Sequence, residues 1–189
     1  MSLNTDLLNR VIEEVLPDTV RAEIVDGELI VNAASPFNRH AFVIHDLRRA
    51  IGDVAGVIGL EMTTVSLPAT DEEFIPDLAY YRFDELDPDV WLNPASALVM
   101  AVEVVSGKDN SNAARRDRKD KARGYAASGV PLYLLVDQPR RQAILHSEPH
   151  YVPSENGARY SRIVNVTYGE ALELPEPFSR TIDTSIFER

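Results

Sequence analysis

The chain has 189 residues, 44% hydrophobic and 26% charged, a composition that suits one globular domain over residues 1–189 with a core large enough to need no staple. It contains no cysteine, which excludes disulfides, thiolate nucleophiles and cysteine-ligated zinc, and its formal net charge of −11 opposes non-specific binding to nucleic acid. No apolar run approaches the roughly 20 residues of a membrane span, and Met1-Ser2-Leu3-Asn4-Thr5-Asp6 lacks a signal-peptide pattern, so the expected location is cytoplasmic, with no membrane partner.

Thr5 to Val15 reads as a short amphipathic helix ended by Pro17. Two short apolar runs then flank Asp26-Gly27, a dipeptide that favours a tight hairpin because both turn residues need positive φ. Ser35-Pro36 opens a helix to about Val54, with Val43, Ile44, Leu47, Ile51 and Val54 at helical spacing. Val57 to Leu67 reads as one strand, Asp71-Glu72-Glu73 as a polar loop, and Leu78 to Tyr81 as a strand starting just after Ile75-Pro76-Asp77. Phe83 to Pro94, with its acids and prolines, reads as a loop. Leu98 to Ser106 is an apolar strand carrying Glu103, and a polar turn leads into a basic helix from Arg115 to Tyr125. The strand Leu132 to Asp137 follows, then strands at Arg141 to His146 and Ser161 to Val166, then a proline-punctuated tail docked by Ile182 and Ile186. This order predicts an α/β or α+β fold, with helices against a mixed sheet and a crossover joining the Glu103 and Asp137 strands.

Glu103 demands an explanation, since a carboxylate in a strand buried on both faces costs several kcal/mol, on the order of an ion-burial penalty, unless paired or metal-bound. It is read either as the partner of a cation on the basic helix or as a metal ligand. Asp77 is read either as a turn-capping acid or as a second ligand. Together the two offer hard oxygen donors suited to Mg²⁺ or Mn²⁺. Asp117, Lys121 and Tyr125 recur at i, i+4 and i+8, one stripe of the helix, with Lys121 able to meet an attacked phosphate. Between Ala113 and Gly124 six cations stand against two acids, the densest positive segment of the chain; it is either a solvated face or a contact for DNA. His45, His146 and His150 share no metal-ligand spacing, and there is no glycine-rich phosphate loop or nucleophile elbow.

At these residues the sequence resembles the Uma-type family of restriction-endonuclease-like proteins, within the PD-(D/E)XK nuclease superfamily. The likeness rests on Glu23-Ile24-Val25-Asp26-Gly27-Glu28, His40, Ile75-Pro76-Asp77-Leu78, Val102-Glu103-Val104-Val105-Ser106, and Asp117, Lys121, Tyr125, Gly129-Val130, Tyr133 and Val136-Asp137. It implies a restriction-endonuclease-like core with Asp77 and Glu103 as ligands of Mg²⁺ or Mn²⁺ and the Val104 carbonyl completing the protein's share. It also implies that Lys121 replaces the lysine the superfamily carries at the position held here by Val105. His40 then stands as a phosphate contact or proton shuttle, with a capping or packing histidine as the alternative. Glu23 stands as an extra acid near the metal, with an exposed strand carboxylate preferred. Asp137 is expected to be a structural acid at a strand end. The implied function is metal-dependent DNA endonuclease activity by a homodimer, with DNA met through the Arg115–Arg123 region. The alternatives are a non-catalytic interaction module on the same fold and a small phosphate-ester hydrolase.

Overall fold

Arg21–Val25 (β1) and Glu28–Asn32 (β2) pair around Asp26-Gly27 as a hairpin. Asp26 and Gly27 take φ of 51° and 74°, the positive values whose twist matches that of the flanking strands. The computed structural model describes residues 21–32, 38–153 and 157–188, with 10–11 and 14–15 ahead of them. The helix expected from Thr5 to Val15 and the helix start at Ser35-Pro36 fall largely outside those residues.

Helix α1 (Asn38–Ile51) ends short of Val54. Gly52 takes φ 65° and donates its N–H to the Arg48 carbonyl at 3.0 Å, closing the last turn in the left-handed conformation that glycine adopts without penalty. The segment expected as one strand from Val57 to Leu67 is instead two, β3 (Val57–Leu60) and β4 (Thr64–Leu67), in different sheets. Met62, between them at φ 62°, redirects the chain.

The acidic run after β4 is a second correction. Asp71 turns at φ 56°, but Glu72–Phe74 is a strand, β5, paired with both β4 and β1. Glu72 and Glu73 are buried. Glu72 Oε1 accepts the Asp26 N–H at 2.7 Å and faces Arg123 at 3.4 Å. Partners from distant segments therefore make a buried strand out of polar residues.

The chain continues through β6 (Leu78–Arg82), a 3₁₀ turn at Phe83–Glu85, β7 (Leu92–Pro94) and β8 (Leu98–Val105). Helix α2 follows in three parts, Asn112–Arg115, a π-helical stretch Arg116–Lys121, and Ala122–Ala127. Ser111 caps it, accepting the Ala114 N–H at 3.1 Å. Next come β9 (Leu132–Asp137), the long hairpin β10 (Gln142–Val152) with β11 (Gly157–Thr167), and a second hairpin, β12 (Ala171–Leu174) with β13 (Arg180–Asp183). Among the described residues no helix is long and apolar enough to cross a membrane.

The larger sheet has the order β11-β10-β9-β8-β6-β3 and the smaller one β2-β1-β5-β4-β7, giving a mixed α+β fold. β8 and β9 are parallel neighbours joined through α2. All eight residues of β8 are buried, and the alternation of its side chains divides the core. Val102 and Val104 pack with Leu47 and Ile51 of α1 and with Ile182 of the last hairpin. Ala101 and Val105 pack with Phe74, Tyr125 and Tyr133 on the side of α2 and the smaller sheet. Glu103, two residues from each of these, points to that second side.

His146 lies between Tyr133 and Tyr160, with ring centroids 5.5 and 5.7 Å away. Burial lowers its pKa from 6.5 to about 4. The unfolded chain therefore takes up the proton first as pH falls. The stabilisation is complete above about pH 6.5 and is lost as pH drops toward 4, by about 2–3 kcal/mol. Chemical denaturation at pH 7 and pH 4.5 should show His146→Phe losing that much less stability on acidification than the wild type; equal losses would contradict this assignment.

Candidate active site

The register of β6 with β8 explains how two acids far apart in sequence meet. Leu78 lies opposite Val102, and continuing that antiparallel pairing by one residue sets Asp77 opposite Glu103 on the same face. Pro76 sits just before β6, where no ladder donor is required of it. Asp77 Oδ2 accepts the Val104 N–H at 2.8 Å, and Oδ1 is 3.1 Å from His40 Nε2. His40 Nδ1 is 3.2 Å from Ser106 Oγ. Asp77 on Nε2 and Ser106 on Nδ1 together orient the ring.

Lys121 enters from α2. Its ammonium donates to Glu103 Oε1 at 2.9 Å and to Glu23 Oε1 at 2.7 Å, with Asp117 Oδ1 at 4.0 Å. Glu23 Oε1 also accepts the Ile75 N–H at 2.8 Å, which ties β1 to the segment carrying Asp77. Tyr125 donates to Glu103 Oε1 at 3.4 Å. Asp117 and Lys121 both lie in the π-helical stretch, a form of helix that recurs at functional sites. Gly124 allows the helix to dock closely, since a Cβ there would stand 2.7 Å from Glu72 Oε2 and 2.7 Å from the Phe74 ring.

The hollow enclosed by these groups is lined by four carboxylates (Glu23, Asp77, Glu103, Asp117) against the cations Lys121 and Arg116. The acids of the hollow thus outnumber these two cations by two. Burial, only partly offset by Lys121, pushes Glu103 well above the usual carboxyl range, and the other three acids push it the same way. Burial likewise raises Asp117 to about 6. Burial alone would lower Lys121, but Glu103, Glu23 and Asp117 outweigh it and hold the ammonium charged. For Asp77 burial acts upward, and the hydrogen bond and charge of His40, with Lys121 and the Val104 N–H, bring it below the ordinary value.

The hollow thus contains Asp77, Glu103, Lys121 and His40, with Val104 between them. Glu23 corrects the sequence expectation. It is buried, not an exposed strand carboxylate, because β5 covers β1 and Lys121 pairs with it. No local signal distinguishes it from other polar residues of a hairpin strand. Val105 is buried against Tyr125 and Tyr133, so no cation could be accommodated there without displacing core. Asp137 is fully buried and held by Arg118 through both oxygens, at 2.7 and 2.8 Å, a structural pair outside the hollow.

The basic segment presents less free charge than its composition implies. Arg115 pairs with Asp120, Arg118 with Asp137 and Asp109, Lys121 with Glu23 and Glu103, and Arg123 with Asp26 and Glu72. Four of the six cations expected to meet DNA are thus already held by carboxylates of the chain itself.

Among solved structures, "a putative nuclease belonging to DUF820 from Anabaena variabilis ATCC 29413" superposes with a TM-score of 0.68 at 13% sequence identity, over 98% of this chain and 97% of that one. At that identity the likeness speaks for the fold alone, a restriction-endonuclease-like mixed α+β core. No curated protein matches the chain. The family model described as "Putative restriction endonuclease" matches residues 9–183. With the match extending over most of its length, the chain belongs to the Uma2 family.

Proposed function

We propose that this protein is a divalent-metal-dependent nuclease that hydrolyses phosphodiester bonds in DNA at the Asp77–Glu103–Lys121 hollow. The position of Lys121 carries this reading. A lysine from the following helix reaches to 2.9 Å from Glu103, while the strand position where the superfamily places its lysine is a core valine.

The donor set suits a hard cation. Two carboxylates from adjacent strands, in a hollow where acids outnumber cations, offer the hard oxygen donors that Mg²⁺ or Mn²⁺ takes. Among the described residues no three His, Asp or Glu side chains are grouped tightly enough to hold an ion on their own. Asp77, Glu103 and the Val104 carbonyl would therefore hold it together with water, as Mg²⁺ commonly accepts. When bound, the ion supplies Lewis acidity toward a phosphoryl oxygen and lowers the pKa of the attacking water.

The chain's own groups account for the rest. Lys121 stays protonated and contributes a fixed positive charge for the phosphate as negative charge builds on it. Glu23, itself fixed by the Ile75 N–H, holds that lysine in place, and Tyr125 holds Glu103. His40 fixes the orientation of Asp77 and lines the hollow. Asp117, near 6, is the carboxyl best matched to moving a proton near neutral pH.

Plasmid nicking with Mg²⁺ or Mn²⁺, combined with Mn²⁺ calorimetry, tests this reading. Wild type should nick and bind Mn²⁺, and Asp77→Ala and Glu103→Ala should each do neither. Equal cleavage by all three proteins would remove the assignment. Mn²⁺ binding that survives both substitutions, with no cleavage by any protein, would favour an interaction module on a nuclease fold. Hydrolysis of small phosphate esters but not of polymers would favour a phosphate-ester hydrolase.

A further inference from the structure

A groove of about 750 Å³ lies between α1 and the edge strand β3, and it shares His40 and Asp77 with the acidic hollow. Ile44 and Val54 line one side and Val57 and Ile58 the other. Tyr80 is the most buried residue of the lining, only 4% exposed. Its ring lies across Gly59, where a Cβ would stand 2.9 Å from it, and packs edge-on against Phe178 at 5.2 Å. Held in this way, its hydroxyl has no hydrogen-bond partner among the described residues. Burial raises its pKa, so it stays protonated and can donate.

The charged groups of the groove are mixed. Arg48 and Arg49 stand against Asp53 and Glu61, and Arg48 is 3.4 Å from Glu61. Such a balance does not suit a polyanionic backbone lying along the groove. It suits a flat group with apolar faces and with both donors and acceptors on its edge. A phosphate at the His40–Asp77 end carries such a group on its own nucleotide.

We propose that the groove receives an unstacked nucleobase of the strand being cut, so that the substrate is single-stranded DNA or a duplex with an unpaired nucleotide. This rests on the nuclease reading and specifies its substrate. Apolar walls take the faces of the base, and the Tyr80 hydroxyl and the Arg48–Glu61 pair take its edge.

The test uses single-stranded oligonucleotides carrying 2-aminopurine, with Ca²⁺ in place of Mg²⁺ for binding and with Mg²⁺ or Mn²⁺ for cleavage. Ala41 lines the groove from an exposed position on α1, so Ala41→Trp fills the groove without entering the core. Wild type should change the 2-aminopurine fluorescence on binding. Ala41→Trp should weaken binding at least 10-fold and Tyr80→Phe several-fold, with melting temperatures close to wild type, and single strands or mismatched duplexes should be cut at least 10-fold faster than a matched duplex. Unchanged binding by Ala41→Trp, with equal rates on paired and unpaired substrates, would overturn the groove assignment and leave the nuclease reading standing. Binding that is lost in Ala41→Trp, without hydrolysis of any polymer by wild type, would keep the groove and remove the nuclease. Competition by AMP as strong as by the strand would overturn the strand as substrate and make a free nucleotide the occupant.

Discussion

Lys121→Met is expected to abolish nicking and to lower stability by about 3–5 kcal/mol, the cost of leaving buried carboxylates without their cation. Glu23 and Glu103 both take their side-chain cation from this lysine, at 2.7 and 2.9 Å, and both are buried. Methionine keeps the length of the side chain and its contact near the Phe74 ring, which lies 5.8 Å from the ammonium, so the loss reports on charge and not on volume. Lys121→Arg should recover part of the stability but little of the activity, because a planar fork cannot occupy the place of a compact ammonium between two carboxylates. Urea denaturation and plasmid nicking on the same preparations read both effects. A Lys121→Met protein within about 1 kcal/mol of wild type would refute the buried pairing.

Glu103→Gln should also remove cleavage, by about 10²–10⁴-fold or more, and abolish Mn²⁺ binding, yet leave stability within about 1 kcal/mol of wild type or above it. Glu103 shares a hollow with three other acids, and its carboxyl is held well above its ordinary pKa, chiefly by burial. The folded state therefore favours the neutral form. Its contribution to stability is present at pH below the unfolded value and is lost as pH rises through the folded one. Glutamine resembles that neutral form, and Lys121 keeps Glu23 as a partner. The variant should accordingly gain on wild type at pH 8 relative to pH 5. A loss of more than about 3 kcal/mol at pH 8 would show that Glu103 is there for the fold and not held at a cost for chemistry.

The two predictions differ in sign for stability because the hollow has more carboxylates than cations. That imbalance is hard to see in the sequence. β8 was legible because eight buried positions in succession leave an apolar run in which one acid stands out. Asp77 was legible through Pro76 and the start of β6, and Lys121 through its helical spacing from Asp117 and Tyr125. Glu23 was not, because nothing in β1 announces that β5 will cover it. β5 itself reads as loop, since Glu72 and Glu73 are polar and are buried only where Asp26, Arg123 and neighbouring strands receive them. The break at Met62 depends on one left-handed residue of a type that seldom adopts that conformation. The positive face assigned to the basic helix shrank for a similar reason, as six carboxylates from elsewhere in the chain pair with Arg118, Lys121 and Arg123.

By itself the sequence determined the α+β class, the buried acid strand, the Asp-Gly hairpin and the family. Each depends on patterns within a few residues, or on motifs whose order survives along the chain. Only the tertiary structure decided that Lys121 points inward, that Glu23 meets it from 98 residues away, and that a groove with Tyr80 in its lining opens beside Asp77. Burial leaves its mark on local composition, whereas the pairing of charges depends on which strands and helices come to lie against one another.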